Sequence, residues 1–216
     1  MKILFIGNSY TYYNDMPQML LALAKENGKD VSVDAVTKGG KRLYENLKEG
    51  DSEGAKIREL LSLGGYDVLV LQEQSHTPLS DPKSFLEGAR GLGLLVGAPR
   101  TVLYATWGRK DGCPLLDELG MTSLGMSMML ELSYERMAKL MGATIAPVGR
   151  AFAAMTSEHP GLELYSEDMS HPSYMGSALA AIVLYKTIFE ELPAKSESID
   201  LDGWITSALI EIAEGI

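Results

Sequence analysis

The sequence predicts one α/β domain of three layers, in which about five parallel strands lie between two layers of helices. Short apolar segments of strand length alternate along the chain with longer segments of helical apolar spacing, a pattern typical of parallel sheets. The chain has 216 residues and is 46% hydrophobic, which is enough to bury a sizeable core. Because no linker or low-complexity segment divides the chain, a single domain over residues 1–216 is expected.

Five segments are predicted to be strands. Residues 2–6 are a short apolar run, residues 31–36 alternate as VSVDAV, and residues 67–71 form the continuous apolar run expected of a buried parallel strand. The other two predicted strands are 101–106 and 143–148. Ligands of open α/β sheets bind beyond the carboxyl ends of the strands, so residues that follow these segments are the candidates for a functional site.

The predicted helices lie between the strands. Residues 16–26 have apolar side chains at helical spacing, and residues 80–96 carry Pro82 in their first turn, where proline is well tolerated. The remaining predicted helices are 53–63, 122–141, one that begins at residue 149, and 173–191, with a short helical piece at 41–47. Residues 109–119 are expected to be an irregular insert beside the site. The tail, 196–216, predicts a helix that either closes the flank of the sheet or forms a homodimer face.

A serine follows the first predicted strand directly. In MKILFIGNSYT, Gly7 and Asn8 end the apolar run and place Ser9 at the carboxyl edge of the sheet. Serine is also a common turn and helix-cap residue, so the position alone does not establish a nucleophile.

An acid and a base stand together near the other end of the chain. In YSEDMSHPS, Asp168 and His171 are three residues apart, immediately before Pro172 and a long apolar helix. Together with Ser9, they are the three side chains that a serine hydrolase needs. Ser9 would be the nucleophile, His171 the general base and acid, and Asp168 the group that orients the imidazole. The alternative is that Asp168 is a loop residue and His171 a capping or packed histidine.

GNSYT and DMSH resemble the first and last sequence blocks of the SGNH (GDSL-like) hydrolase superfamily, with Asn8 where the commoner form has aspartate. VLVLQEQS and LYSEDMSHPSYMGSALAA are similar to a bacterial branch of that superfamily whose function is poorly defined. The resemblance implies a flavodoxin-like α/β/α fold and a serine esterase that needs no cofactor. It further implies a small-molecule ester substrate with a small acyl group, acetyl above all, on a carbohydrate or another polar alcohol.

The resemblance also implies where an oxyanion would be stabilised. Gly40 best matches the superfamily's glycine that donates a backbone N–H, and Gly39 lies beside it, although a Gly pair after a strand is usually a turn. The superfamily's asparagine has no counterpart after the third strand. A primary amide suits the task, so Gln72 is the favoured donor, with Gln74 and His76 as alternatives.

Composition narrows the possible partners, metal sites and cellular location of the protein. A formal net charge of −10 argues against nucleic acid or an anionic membrane surface as the principal partner. Cys113 is the only cysteine and the three histidines are widely spaced, so no metal site is predicted. The first strand leaves no room for a signal peptide, which predicts a cytoplasmic protein.

Two other functions remain open at the level of sequence. Asn8 and the missing asparagine are compatible with a non-catalytic protein that binds a glycan or metabolite on the same scaffold. Acyl transfer to an alcohol other than water would use the same residues as hydrolysis. Trp107, which follows the fourth predicted strand, is expected either to wall the pocket or to pack in the core.

Overall fold

The computed structural model describes residues 1–216, and a five-stranded parallel sheet forms its centre. The strands are β1 (Lys2–Gly7), β2 (Ser32–Thr37), β3 (Val68–Leu71), β4 (Arg100–Tyr104) and β5 (Thr144–Ala146). Their order across the sheet is β2-β1-β3-β4-β5, and every neighbouring pair is parallel. The predicted α/β fold with about five parallel strands is confirmed, in the strand order typical of flavodoxin-like domains.

Helices follow each strand and cover both faces of the sheet. They are α1 (Ser9–Tyr12), α2 (Met16–Glu26), α3 (Ser52–Ser62), α4 (Thr77–Ser80), α5 (Pro82–Val96), α6 (Pro114–Leu119), α7 (Ser123–Met141), α8 (Val148–Glu158), α9 (Tyr174–Phe189) and α10 (Gly203–Glu214). Two 3₁₀ turns, Tyr13–Asp15 and Leu43–Leu47, complete the set. None of these helices combines the length and the apolar composition that a bilayer crossing requires.

The alternation of side chains along each strand builds two cores. Ile3 and Phe5 of β1 face one layer of helices, α2, α8, α9 and α10, whereas Leu4 and Ile6 face the other, α3, α5 and α7. Helix α9 is buried around nearly its whole circumference, because α10 packs over its outer side. Lys186 of α9 fixes that contact by donating hydrogen bonds to three backbone oxygens at and just beyond the end of α10 (Ala213, Glu214 and Ile216).

The structure corrects several predicted segments. Residues 109–119 are not irregular throughout, since Pro114 begins helix α6 and Gly120, with a φ of 62°, ends it. β5 is shorter than the predicted strand because Pro147 caps helix α8 at once. In the tail, Leu209 and Ile212 of α10 are buried within this chain, where α10 packs over α8 and α9, so it covers a helix layer and not the flank of the sheet; the homodimer face stays a prediction.

The strand order creates a crevice between β1 and β3. The chain leaves the carboxyl end of β1 towards β2 on one side, and later returns to add β3 on the other, which is the topological switch point of the sheet. The segments after β1 and β3, which contain Ser9 and Gln72 to His76, flank this crevice.

Candidate active site

A small polar cleft opens at this crevice, with a volume of about 170 Å³. Tyr10 is the one residue with a large apolar surface among those that line it, which are Asn8, Ser9, Tyr10, Gly40, Gln74, Ser75, Arg109, Ser170 and His171. These residues come from the segments that follow β1, β2, β3 and β4 and from the loop between α8 and α9. The fold therefore collects short polar segments that are distant in sequence at one edge of the sheet.

Ser9 is the first residue of α1 and is fixed by tight packing at the end of β1. A Cβ at Gly7 would lie 2.4 Å from Thr11 Oγ1 and 2.8 Å from Gln72 Oε1, so only glycine lets the chain turn this closely. Asn8 is the N-cap, and its Oδ1 accepts a hydrogen bond of 3.2 Å from the backbone N–H of Tyr10. The turn holds Ser9 at the start of the helix, facing the cleft.

The amide of Asn8 serves a purpose that a carboxylate at this position would not. While Oδ1 caps α1, Nδ2 donates a hydrogen bond of 3.1 Å to the carbonyl oxygen of Lys41, in the loop after β2. An ionised aspartate has acceptors only and would place a negative charge against that carbonyl. Asn8 thus links the loop that carries Ser9 to the loop that carries Gly40.

Asp168 and His171 lie in a closed loop immediately before α9. The loop is joined at its base by a bridge between Tyr165 and Pro172, and Met169 turns it with a φ of 60°. Asp168 Oδ1 accepts the backbone N–H groups of Ser170 and His171, at 3.0 and 2.9 Å. These bonds fix the carboxylate relative to the imidazole.

The three side chains form one hydrogen-bonded chain. His171 Nδ1 bonds to Asp168 Oδ2, and His171 Nε2 lies 2.8 Å from Ser9 Oγ. The structure therefore brings together all three triad candidates, although Ser9 and His171 are 162 residues apart in sequence.

Asp168 is ionised at neutral pH. Partial burial acts to raise the pKa of its carboxyl group, but the hydrogen bonds from the His171 side chain and from two backbone N–H groups outweigh burial and hold the pKa below its ordinary value. A carboxylate bonded to Nδ1 sets the tautomer that leaves Nε2 unprotonated towards Ser9.

Aromatic rings position the imidazole, and the two that contact it, Tyr10 and Tyr13, were not predicted as site residues. Tyr13 stacks on His171 with ring centroids 4.2 Å apart and planes 9° apart, while Tyr10 meets the imidazole edge at 5.4 Å. Tyr10 in turn stacks on Trp107, which is fully buried and stacks on Phe152 at 3.9 Å. Of the two expectations for Trp107, core packing holds: it supports the site from behind and does not line the cleft. In the sequence, the run of tyrosines after Ser9 is the feature that could have indicated these residues.

Of the two predicted glycines, only one lines the cleft. Gly40, with a φ of 68°, lines the cleft, whereas Gly39 does not and lies near the hydroxyl of Tyr12. The backbone N–H groups of Ser9 and Gly40 have no acceptor within the protein. Free backbone donors in the cleft that holds the Ser9 hydroxyl are the kind of group that stabilises a developing oxyanion.

Gln72, the favoured side-chain donor, does not reach the cleft, and that choice is corrected here. Its Oε1 accepts the Asn8 backbone N–H and the Thr11 hydroxyl, each at 2.9 Å, and its Nε2 donates to the Glu73 carbonyl. Only 1% of Gln72 is exposed, so both ends of its amide are used inside the protein to fix the turn before Ser9.

The cleft holds the alternative Gln74 and also Arg109, which was not predicted as a site residue. Gln74 lines the cleft, and its Nε2 lies 3.4 Å from Ser75 Oγ, whereas His76 is not among the lining residues. Burial lowers the pKa of His76, helped by the positive charges of Arg109 and Arg42. Arg109 lines the cleft two residues after Trp107; a charged residue just beyond β4 was its signal in the sequence.

Comparisons with known proteins give solved structures of the same fold. No protein-family model matches the chain, and no curated protein matches its sequence. A protein from Slackia heliotrinireducens assigned to the SGNH hydrolases is 36% identical with a TM-score of 0.76, over 87% of this chain and 98% of that one. A DUF4886 family protein from Bacteroides uniformis is 18% identical with a TM-score of 0.81, over 100% and 93%. An acetyl xylan esterase is 15% identical with a TM-score of 0.64, over 87% and 100%. The last two likenesses show a shared fold alone.

Proposed function

The chain belongs to the SGNH hydrolases, as its end motifs predicted, and from this premise we propose that it is a serine esterase whose catalytic triad is Ser9, His171 and Asp168. The observation that carries the proposal is the unbroken hydrogen-bonded chain from Ser9 Oγ through the imidazole to the Asp168 carboxylate. Nucleophile, base and orienting acid in that order are the arrangement that activates a serine hydroxyl.

The geometry supports acyl transfer in two steps. Ser9 Oγ attacks the ester carbonyl while His171 Nε2 takes its proton, and the oxyanion receives hydrogen bonds from the backbone N–H groups of Ser9 and Gly40. His171 then gives the proton to the departing alcohol, which leaves an acyl group on Ser9. Water attacks this acyl-enzyme with the same base and releases the acid. Asp168 stays ionised and stabilises the imidazolium that forms in both steps.

The size and polarity of the site support a small acyl group on a polar alcohol. The cleft of about 170 Å³ has no apolar channel for a long chain. At Gly40 it adjoins a wider groove of about 430 Å³, lined by polar and charged residues and glycines only: Lys38, Gly39, Gly40, Lys41, Glu45, Lys48 and Asp51. Such a groove suits a carbohydrate or another polar alcohol. An acetylated carbohydrate, the kind of substrate named for the acetyl xylan esterase of this fold, is a first compound to test.

A fluorophosphonate probe tests the nucleophile. We expect one phosphonyl adduct, located on Ser9 by mass spectrometry of peptides, because the probe loses fluoride to an activated serine. Ser9→Ala should abolish the adduct, and Ser62→Ala, at an exposed serine, should keep it.

The wild-type protein should also hydrolyse p-nitrophenyl acetate faster than p-nitrophenyl butyrate and p-nitrophenyl octanoate. A folded protein that takes no adduct and cleaves none of these esters would overturn the proposal in favour of a non-catalytic protein that binds a glycan or metabolite.

Tyr13 should act as a positioning residue for His171. Its ring stacks on the imidazole and its hydroxyl makes no hydrogen bond, so Tyr13→Phe should keep kcat within twofold. Tyr13→Ala removes the stacked neighbour, and we expect kcat to fall about 3- to 10-fold with little change in KM, in line with the typical worth of an aromatic pair. Steady-state kinetics on p-nitrophenyl acetate would check this. Equal losses in both variants would show that the ring does not act through stacking.

A further inference from the structure

Arg109 is a cation without a carboxylate partner inside the cleft. Its side chain makes one hydrogen bond, of 2.9 Å from Nη2 to Ser75 Oγ, and no Asp or Glu oxygen lies within 4.0 Å of it. Its Nε is buried and has no acceptor. A guanidinium has five N–H donors, so most of the hydrogen-bonding capacity of Arg109 is unused in the protein. A buried donor without an acceptor costs free energy unless something else occupies it.

Most other buried or partly buried cations of this protein are paired with a carboxylate. Lys41 bonds to both Asp51 and Glu53, Lys29 bonds to Glu191 and Lys110 bonds to Glu163, whereas Lys186 uses its donors on backbone oxygens. The chain has 29 acidic residues against 19 Lys and Arg, so carboxylates are abundant. Against this background, a guanidinium left unpaired in the cleft that holds Ser9 indicates an anion that arrives from outside.

The surroundings of Arg109 favour a single negative charge. None of the residues that line the cleft is an Asp or a Glu. Asp168 is bonded to His171, and Glu73 is directed at the backbone N–H groups of Leu43 and Gln74. One guanidinium balances one carboxylate, and its planar fork matches the two carboxylate oxygens. The Tyr10 ring, 5.8 Å from Arg109 Cζ, and the bond to Ser75 hold the fork in place.

We propose that Arg109 binds a carboxylate on the ester substrate, so that the site selects esters that carry a free carboxylate a few bonds from the scissile carbonyl. This inference rests on the proposed esterase function and names its substrate class. Because Arg109 and Ser9 share a cleft of only about 170 Å³, a carboxylate held by the guanidinium lies close to the reacting group. The carboxylate belongs either to the acyl group, as in a dicarboxylic acid monoester, or to the alcohol, as in an acylated hydroxy acid.

Matched pairs of esters test the inference and identify the side. Monomethyl succinate is compared with methyl butyrate for the acyl side, and acetoxyacetate with propyl acetate for the alcohol side, by following acid release. We expect one carboxylate-bearing ester to exceed its neutral partner in kcat/KM by about 10- to 100-fold, the range of a charge-assisted hydrogen bond. Arg109→Gln should reduce that ratio to near one, and Arg109→Lys, which keeps the charge without the fork, should restore part of it. Arg90→Gln, at an exposed arginine, should keep the ratio.

The outcomes separate this inference from the esterase proposal. Hydrolysis of neutral and anionic esters at equal rates, or an equal loss on both in Arg109→Gln, would overturn the carboxylate site and leave the esterase standing. Calorimetric titration of the Ser9→Ala protein with the two carboxylate esters measures binding without turnover. Binding that Arg109→Gln removes, in a protein whose wild-type form cleaves no ester, would support the carboxylate site and overturn the esterase. No binding of either compound would count against the carboxylate site.

Discussion

Ser9→Ala and His171→Ala should each lower kcat/KM for p-nitrophenyl acetate by about 10⁴- to 10⁶-fold, and the double variant should lose no more than the worse single variant. The reason is that the hydroxyl and the imidazole act as one unit across the 2.8 Å contact between Ser9 Oγ and His171 Nε2. Without the base, the hydroxyl keeps its proton; without the hydroxyl, the base has nothing to activate. The backbone N–H groups of Ser9 and Gly40 remain in all three variants and account for any residual rate.

The measurement is a double-variant cycle with the uncatalysed rate subtracted. His159→Ala is the matched control, because His159 follows α8 and does not line the cleft. Circular dichroism of each variant establishes that the fold is intact. If the two losses multiplied in the double variant, or if His171→Ala kept more than a tenth of the activity, Ser9 and His171 would not be a nucleophile and its base.

The fold was predictable from sequence because its signals are local. Each strand is a short apolar run, and the alternation of Ile3 and Leu4 between the two cores follows from the period of a strand. Segment ends were less predictable. Arg100 and Thr144 begin strands that were expected to start elsewhere or run longer, because pairing with a neighbouring strand, which is a long-range contact, decides where a strand stops.

Residues of the candidate site could be predicted where two features agreed: a side chain that can take part in catalysis, and a position expected at the edge of the sheet. Ser9, Asp168 and His171 are of that kind, and the structure places them in contact. Gln72 shows the limit of such predictions. Its amide follows β3 and was expected to be free for a substrate, but the tight turn at Gly7 places the backbone N–H of Asn8 in hydrogen-bond contact with it. Sequence position does not reveal which polar side chains another segment will use.

A large pH effect on stability should come from Glu73, which is fully buried. Glu73 Oε1 accepts the backbone N–H groups of Leu43, at 3.2 Å, and Gln74, at 2.7 Å. Burial raises the pKa of this carboxyl from 4.5 to about 7; those two hydrogen bonds and the charge of Arg42 offset burial only in part, and Glu45 adds to the rise. The carboxyl thus joins the loop that carries Gly40 to the loop that carries Gln74 while its own charge is poorly solvated.

A carboxyl whose pKa is higher in the folded state binds its proton more tightly there than in the unfolded chain. The contribution of Glu73 to the free energy of unfolding is therefore unaffected by pH below about 4.5, falls as pH rises from 4.5 to 7, and stays low above 7. The difference between the two pKa values corresponds to a loss of about 3 kcal/mol at most. The pKa values of Asp168, Asp51 and Glu53 are lowered in the folded protein. The contribution of these three groups to the free energy of unfolding therefore decreases as pH falls, whereas that of Glu73 increases.

Glu73→Gln isolates this contribution, since it removes the titrating group and keeps an oxygen for the Leu43 and Gln74 N–H groups. We expect the stability of Glu73→Gln relative to wild type to improve by about 2 to 3 kcal/mol between pH 4.5 and pH 8, measured by urea unfolding at each pH. The lowered carboxyls are present in both proteins and cancel in the difference. Glu59→Gln, at an exposed glutamate without an ion pair, should give a difference that does not change with pH. The same flat result for Glu73→Gln would mean that the Glu73 carboxylate is solvated or paired in the folded protein, and that the two loops are joined by an ionised group.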